Sequence, residues 1–248
     1  SLQVQETHQR STSKGAPAHS HKKMFATFLL LLWSHAPAPA LSLPPRPPVR
    51  CSDGGTTGCV LSNAYGAWSS DRADCPVSSV AYPASEQEVV AAVARASASG
   101  ARVKVVSGFA HTIPKLACPG GGNGTTTTLL ISTARLAGVE VDVAARTVTA
   151  DAGAPLRAVI DAAEASGLSL TAAPYWEGVS VAGLVSTGSH GSSWWGRGGA
   201  VHDHVVGLRL VVTAGEADGW ARVLTLRRGD ELFPAALVSL GLLGVVSK

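Results

Sequence analysis

The run from Ser79 to Val106 limits the possible folds of this chain more than any other. Ser79-Val80-Ala81-Tyr82 is a short strand that Pro83 ends. Ser85 then stands as an N-cap with Glu88 three residues on as its capping-box partner, and Val89, Val90, Val93 and Ala96 fall on one helical stripe. Gly100 closes that helix, and RVKVV from Arg102 to Val106 is the next strand. Strand, helix, strand is a β–α–β unit, and the rest of the chain continues the mixture. TTTTLLIS is a strand, and VEVDVAARTVTAD is a hairpin turning at Ala144-Ala145. Pro155 opens a helix lined on one side by Leu156, Val159, Ile160 and Ala163 and ended by Gly167. LRLVVTA and ARVLTLRR are two more strands, GDELFPAALVS is a helix interrupted at Pro234, and SLGLLGVVSK is an apolar strand. An apolar strand without a polar tail expects more chain to cover it, so the sequence reads as a fragment of a longer protein.

The N-terminal third carries address information. FATFLLLLW (Phe25 to Trp33) follows His21-Lys22-Lys23 and precedes small residues in the Ala-x-Ala manner up to Ala40. A bilayer span needs about 20 apolar residues, so residues 24–40 read as a secretory signal peptide opened by Met24, the only methionine. Residues 1–23 are then expected to be a non-native or disordered leader, and residues 41–50 a proline-rich linker. Secretion makes disulfides the expected state of Cys51, Cys59, Cys75 and Cys118. Three pairings are possible; Cys51–Cys59 with Cys75–Cys118 is preferred because the first closes a short loop. Asn123-Gly124-Thr125 is a glycosylation sequon.

With charged residues at 15% and a net charge of +3, the chain lacks the basic runs of a nucleic-acid binder. Its chemistry has to come from small residues. Gly178 to His204 packs glycine, serine, three histidines and two tryptophans around almost no charge. His202-Asp203-His204 with His190 could suggest a metal, but an extended chain turns Asp203 away from both imidazoles, and hydrogen-bonded, fold-supporting histidines are expected instead. No G-x-S-x-G elbow, Walker loop or G-x-G-x-x-G is present, and Gly120–Gly124 reads as a solvent loop. A cofactor fits best, because pyrophosphate needs backbone N–H groups that approach only where side chains are small. Ser107 to Thr112, directly after a strand, and Gly178 to Gly191 qualify.

Four pieces, VAYPASEQEVV, VKVVSGFAHTIPKLACP, APYWEGVSVAGLVSTGSHGSSWWGRGGAVHDHV and VSLGLLGVVS, together resemble the plant L-gulonolactone oxidase-like proteins, within the vanillyl-alcohol-oxidase (PCMH) type of FAD-binding fold. The resemblance runs in order over most of Cys51 to Lys248. It implies an α+β, PCMH-type FAD-binding domain of two α/β subdomains, about 51–135 and 136–248, with a C-terminal cap domain missing. It implies that Ser107, Gly108, Phe109, Ala110, His111 and Thr112 hold the FAD pyrophosphate, with His111 as the covalent attachment point. The loop is one residue longer than the usual Gly-Gly-Gly-His-Ser form. Val181, Gly183, Thr187, Gly188, His190 and Gly191 would pack around the flavin and phosphates, and Gly244, Val245 and Val246 would lie along the cofactor. Trp194 and Trp195 are expected in the core or cleft wall, and Trp176 near the adenine or ring. The implied activity is oxidation of an aldono-1,4-lactone toward ascorbate, with oxygen or another acceptor taking the electrons. Residues gripping the lactone are expected in the missing cap, so no catalytic residue is assigned. The alternatives are a secreted flavin-binding or structural module without turnover, or a related FAD oxidase of oligosaccharides or alcohols. Membrane association is expected only through an uncleaved signal segment.

Overall fold

The computed structural model describes residues 1–6, 49–52, 54–62, 74–108, 114–120, 126–192 and 198–248. The signal segment, residues 41–48 of the linker, the sequon, Phe109 to Thr112, Trp194 and Trp195 lie outside the described residues.

The described chain opens with two short strands, β1 (Leu2–Gln3) and β2 (Gln5–Glu6). A five-stranded sheet follows, built from β3 (Val49–Cys51), β4 (Thr57–Ser62), β5 (Asp74–Ala81), β6 (Arg102–Val106) and β7 (Thr128–Ser132). Its order is β3-β4-β5-β7-β6, antiparallel as far as β5 and parallel from β5 through β7 to β6. The β–α–β unit is therefore present, with β7 inserted between its two strands. Both disulfides brace this sheet. Cys51–Cys59 links residues opposed in the β3–β4 ladder, and Cys75–Cys118 joins β5 to the segment after the short helix α2 (Pro114–Ala117), the pairing preferred from sequence.

Helix α1 (Glu86–Ala98) connects β5 to β6 and starts as its sequence dictates. Ser85 Oγ accepts from Glu88 N–H at 3.2 Å. The Glu88 carboxylate reaches one residue further back than a capping box requires, accepting from Ala84 N–H at 2.8 Å. Val89, Ala92, Val93 and Ala96 are buried, with Val90 only partly so. This face packs with Ile131 and Leu136 on one side and with Val211, Ala221 and Val245 on the other, so α1 is held between two sheets.

The second sheet has the order β12-β11-β13, from β11 (Gly207–Thr213), β12 (Ala221–Arg227) and β13 (Val245–Val246), all antiparallel. Before it come the hairpin β8 (Val139–Asp142) and β9 (Thr147–Ala150), then α3 (Leu156–Ala165), β10 (Leu168–Ser169) and α4 (Val181–Ser186). The four α3 residues expected to face inward are the four that are buried, in the cluster that also holds Val148, Leu184 and Leu210.

Three local expectations differ from the structure. Pro234 lies in the first turn of α5 (Phe233–Leu237) and opens that helix instead of interrupting one, since its missing N–H is no loss there. The C-terminal run forms a strand only at Val245–Val246, because Leu240 (φ 52°) and Gly241 (φ 72°) turn the chain left-handed before it pairs with Val211 and Leu210. Residues 1–6, which the sequence assigns to a leader, alternate Leu2 and Val4 with polar neighbours. Both are buried, and Leu2–Gln3 pairs with Val148 and Thr147; a period of two is what a strand on an apolar face needs.

Candidate cofactor-binding site

A cavity of about 500 Å³ opens where the C-terminal end of β6 meets the segment from Pro174 to Ser189, with Leu240 to Val246 along one wall. Each wall is fixed by backbone bonds. Thr133 Oγ1 donates to the Val106 carbonyl at 3.2 Å and pins the end of β6. Opposite, the N–H groups of Val181 and Ala182 donate to the carbonyls of Ala154 and Ala152 at 2.9 and 3.0 Å, and Leu156 N–H donates back to Val179 at 2.8 Å. Ser180 caps α4, accepting at Oγ from Gly183 N–H at 3.3 Å, and Thr187 Oγ1 donates to the Gly183 carbonyl at 2.8 Å. Leu240 N–H donates to the Ser186 carbonyl at 3.0 Å, which holds the third wall against α4.

Small residues keep this space open. A side chain at Gly178 would begin 2.9 Å from the Trp176 ring. Gly244 has φ +155°, and a Cβ there would lie 2.7 Å from the Val211 carbonyl oxygen, so the strand end approaches as only glycine allows. Val105, Val106, Leu116, Val179, Leu240 and Val246 make the walls mainly apolar, and Ser107, Ser186, Thr187 and Ser189 supply hydroxyls. Lys104 is the only charged residue among the described ones that line the cavity. Burial holds its ammonium below the ordinary lysine range. Such a slot suits a flat, largely apolar ring system with a polar tail.

The structure brings Ser107, Gly183, Thr187, Gly244 and Val246 together around the cavity, and Trp176 joins them half-exposed. Gly108 follows Ser107 with nothing within 4 Å of where a Cβ would be. Of the other expected positions, Phe109 to Thr112 lie outside the described residues, and the described ones do not line this cavity. Val181 lines a separate small cavity with Val148 and Leu208. Gly188 (φ +69°) packs toward Val238, and Val245 is buried against α1. His190 is exposed, forms an isolated bridge with Ala200 and places Nδ1 3.2 Å from the Gly191 carbonyl. A Cβ on Gly191 would come within 2.6 Å of the Ala173 carbonyl oxygen, so that glycine serves backbone packing. The expectation that His202 and His204 are hydrogen-bonded needs correction, since His202 Nδ1 and His204 Nε2 are buried without a partner among the described residues. Among the described residues no three His, Cys, Asp or Glu side chains gather as a metal site would require.

Sequence reasoning missed Lys104, Leu116, Thr133 and Leu240. Only Lys104 carried a signal, as a lone charge inside an apolar strand.

Residues 77–217 match the family of FAD binding domains, and the chain belongs to that family. It adopts the corresponding mixed α/β, PCMH-type FAD-binding fold. Over 225 residues, 90% of its length, it is 50% identical to "L-gulonolactone oxidase 3" of Arabidopsis thaliana, of which it spans 36%. It is 31% identical over 188 residues, 76% of the chain, to an "L-gulono-1,4-lactone dehydrogenase" of Mycobacterium tuberculosis, spanning 40% of that protein. Among solved structures, the cholesterol oxidase from B. sterolicum superimposes with a TM-score of 0.59 at 21% identity, over 70% of this chain and 34% of that one. The chain thus spans little more than a third of the length of the curated relatives it matches.

Proposed function

We propose that this chain is the FAD-holding part of an oxidoreductase of the L-gulonolactone oxidase type, which oxidises an aldonolactone toward ascorbate and passes the electrons to oxygen or another acceptor. One observation carries the reading. Most of the cavity wall, from Lys104 to Ser189, falls inside the segment that matches the FAD binding domain family. The names of the relatives at 50% and 31% identity favour a lactone as substrate. One of them is called an oxidase and the other a dehydrogenase, names that differ in the electron acceptor.

FAD when bound would supply the two-electron redox chemistry. The chain's own contribution is placement. Ser107 and Thr187 would offer polar contacts, Gly183 and Gly244 would let the backbone close on the cofactor, and Val106, Val179 and Val246 would keep water from the ring. His111 would be the point of covalent attachment, and residues 24–40 would send the protein into the secretory pathway. Lactone-gripping residues would come from a cap domain beyond this sequence, which predicts that the chain by itself turns over poorly or not at all.

The test is reduction of bound flavin without oxygen. The longest natural protein that carries this sequence is loaded with FAD and mixed in turn with L-gulono-1,4-lactone, other aldonolactones, simple alcohols and oligosaccharides. Bleaching of the flavin band by lactones alone supports the proposal; bleaching by alcohols or oligosaccharides and not by lactones overturns it. Acid precipitation settles the attachment, since flavin that stays with the pellet in the native chain and leaves it in His111→Ala is linked at His111.

A further inference from the structure

We infer that Lys104 is the counter-charge for the pyrophosphate of the bound dinucleotide, and so selects a phosphorylated cofactor over a bare flavin. The inference deepens the FAD reading and rests on it.

The cavity wall presents one formal charge among the described residues, and no carboxylate opposes it. Lys104 sits in the β6 ladder, paired in register with Leu130 of β7, so its backbone is fixed while its side chain makes no hydrogen bond or ion pair to a described residue. The ammonium is partly desolvated, and that loss of water is what lowers its affinity for a proton. A desolvated cation without a partner is costly in a folded protein, and sheet register holds this one at the edge of an apolar slot. The same slot would take up a dinucleotide whose pyrophosphate carries two negative charges. Hydroxyls such as Ser107 and Ser186 can orient phosphate oxygens but cannot neutralise them. A charge-assisted N–H···O bond can, and it is shorter and stronger than a neutral one. The single positive charge on the wall therefore answers one of the two negative charges on the ligand.

The test uses ligands that cannot be linked covalently. Binding of ADP and of adenosine is measured by calorimetry on apo-protein from riboflavin-depleted cells, for the native chain, Lys104→Met and Lys104→Arg. The native protein is expected to prefer ADP, and Lys104→Met to lose about tenfold or more of ADP affinity with adenosine affinity unchanged and the melting temperature not lowered. Lys104→Arg, which keeps the charge, should recover most of the preference. The inference is overturned if Lys104→Met keeps the native ADP-over-adenosine ratio. It is overturned equally if native protein that takes up FAD shows no such preference, or if ADP and adenosine weaken together. Native protein that takes up no FAD at all instead removes the reading beneath it.

Discussion

Glu86 and Arg209 lie 123 positions apart and meet in a two-pronged ion pair, Arg209 Nη2 to Glu86 Oε1 at 2.6 Å and Nε to Oε2 at 2.8 Å. Ser247 Oγ adds a third bond to Oε2 at 2.6 Å. The first turn of α1, the middle of β11 and the segment after β13 are thereby tied at one carboxylate. The pair reinforces the apolar contact of α1 with Val211 and Val245, and β11 in turn fixes Gly244 at the cavity. Replacing Arg209 with Met should cost about 1–3 kcal/mol, as for other hydrogen bonds to a charged group, read as a lower urea midpoint.

That carboxylate also sets an acid limit. The Arg209 hydrogen bonds, outweighing the opposing effect of burial, hold the Glu86 pKa below its ordinary value of 4.5. A depressed acid contributes stability that is fully present above the unfolded-state pKa and is lost as pH falls through the folded one. Native protein should hold a plateau above pH 4.5 and lose this contribution below it. In Glu86→Gln the loss at acid pH should be shallower, measured as denaturant midpoint against pH.

Gly153 and Gly108 should behave oppositely. A Cβ on Gly153 would overlap the Thr133 carbonyl oxygen and lie 2.8 Å from that of Leu136, whereas a Cβ on Gly108 meets nothing within 4 Å. Gly153→Ala is therefore expected to lose at least about 2 kcal/mol or fail to express in soluble form. Gly108→Ala should melt with the native protein, and calorimetric scans of the two compare them directly.

The Cys75–Cys118 bridge spans 43 positions and encloses α1 and β6, whereas Cys51–Cys59 spans 8 within one strand pair. In the chain-entropy account the longer loop stabilises more. Cys118→Ser combined with Cys75→Ser should lose about 2–4 kcal/mol and the other pair less, judged by urea midpoints without reductant.

Gly183 lines the cavity from α4, where its Cβ would already approach Ser180 Oγ at 3.1 Å. Gly183→Leu should weaken FAD uptake at least about tenfold, the effect of about 1–3 kcal/mol of overpacking, with an unchanged far-ultraviolet spectrum.

What the sequence made legible follows periodicity. The α3 stripe was read to the residue because Leu156, Val159, Ile160 and Ala163 recur at helical spacing with no competing pattern. The start of β5 was not, because Asp74, Cys75 and Pro76 carry no strand signal and gain theirs from pairing with β4. The C-terminal run misled because an apolar stretch looks the same whether it pairs or turns, and Leu240 to Leu243 stay largely exposed. At the site, Ser107, Gly183 and Thr187 were visible as small residues beside strand and helix ends. Leu116, Thr133 and Leu240 reach the cavity only through the fold, and local sequence does not encode that. His190 drew its expected cofactor role from the family resemblance, and the structure leaves its side chain exposed beside Gly191.

Whether FAD occupies the slot between β6 and α4 is read by equilibrium titration of the purified protein with FAD. A slot that holds FAD gives saturable, stoichiometric uptake with a shifted flavin absorption band, lost in Gly183→Leu. A correctly folded native protein that remains colourless and leaves added FAD free in solution would contradict it.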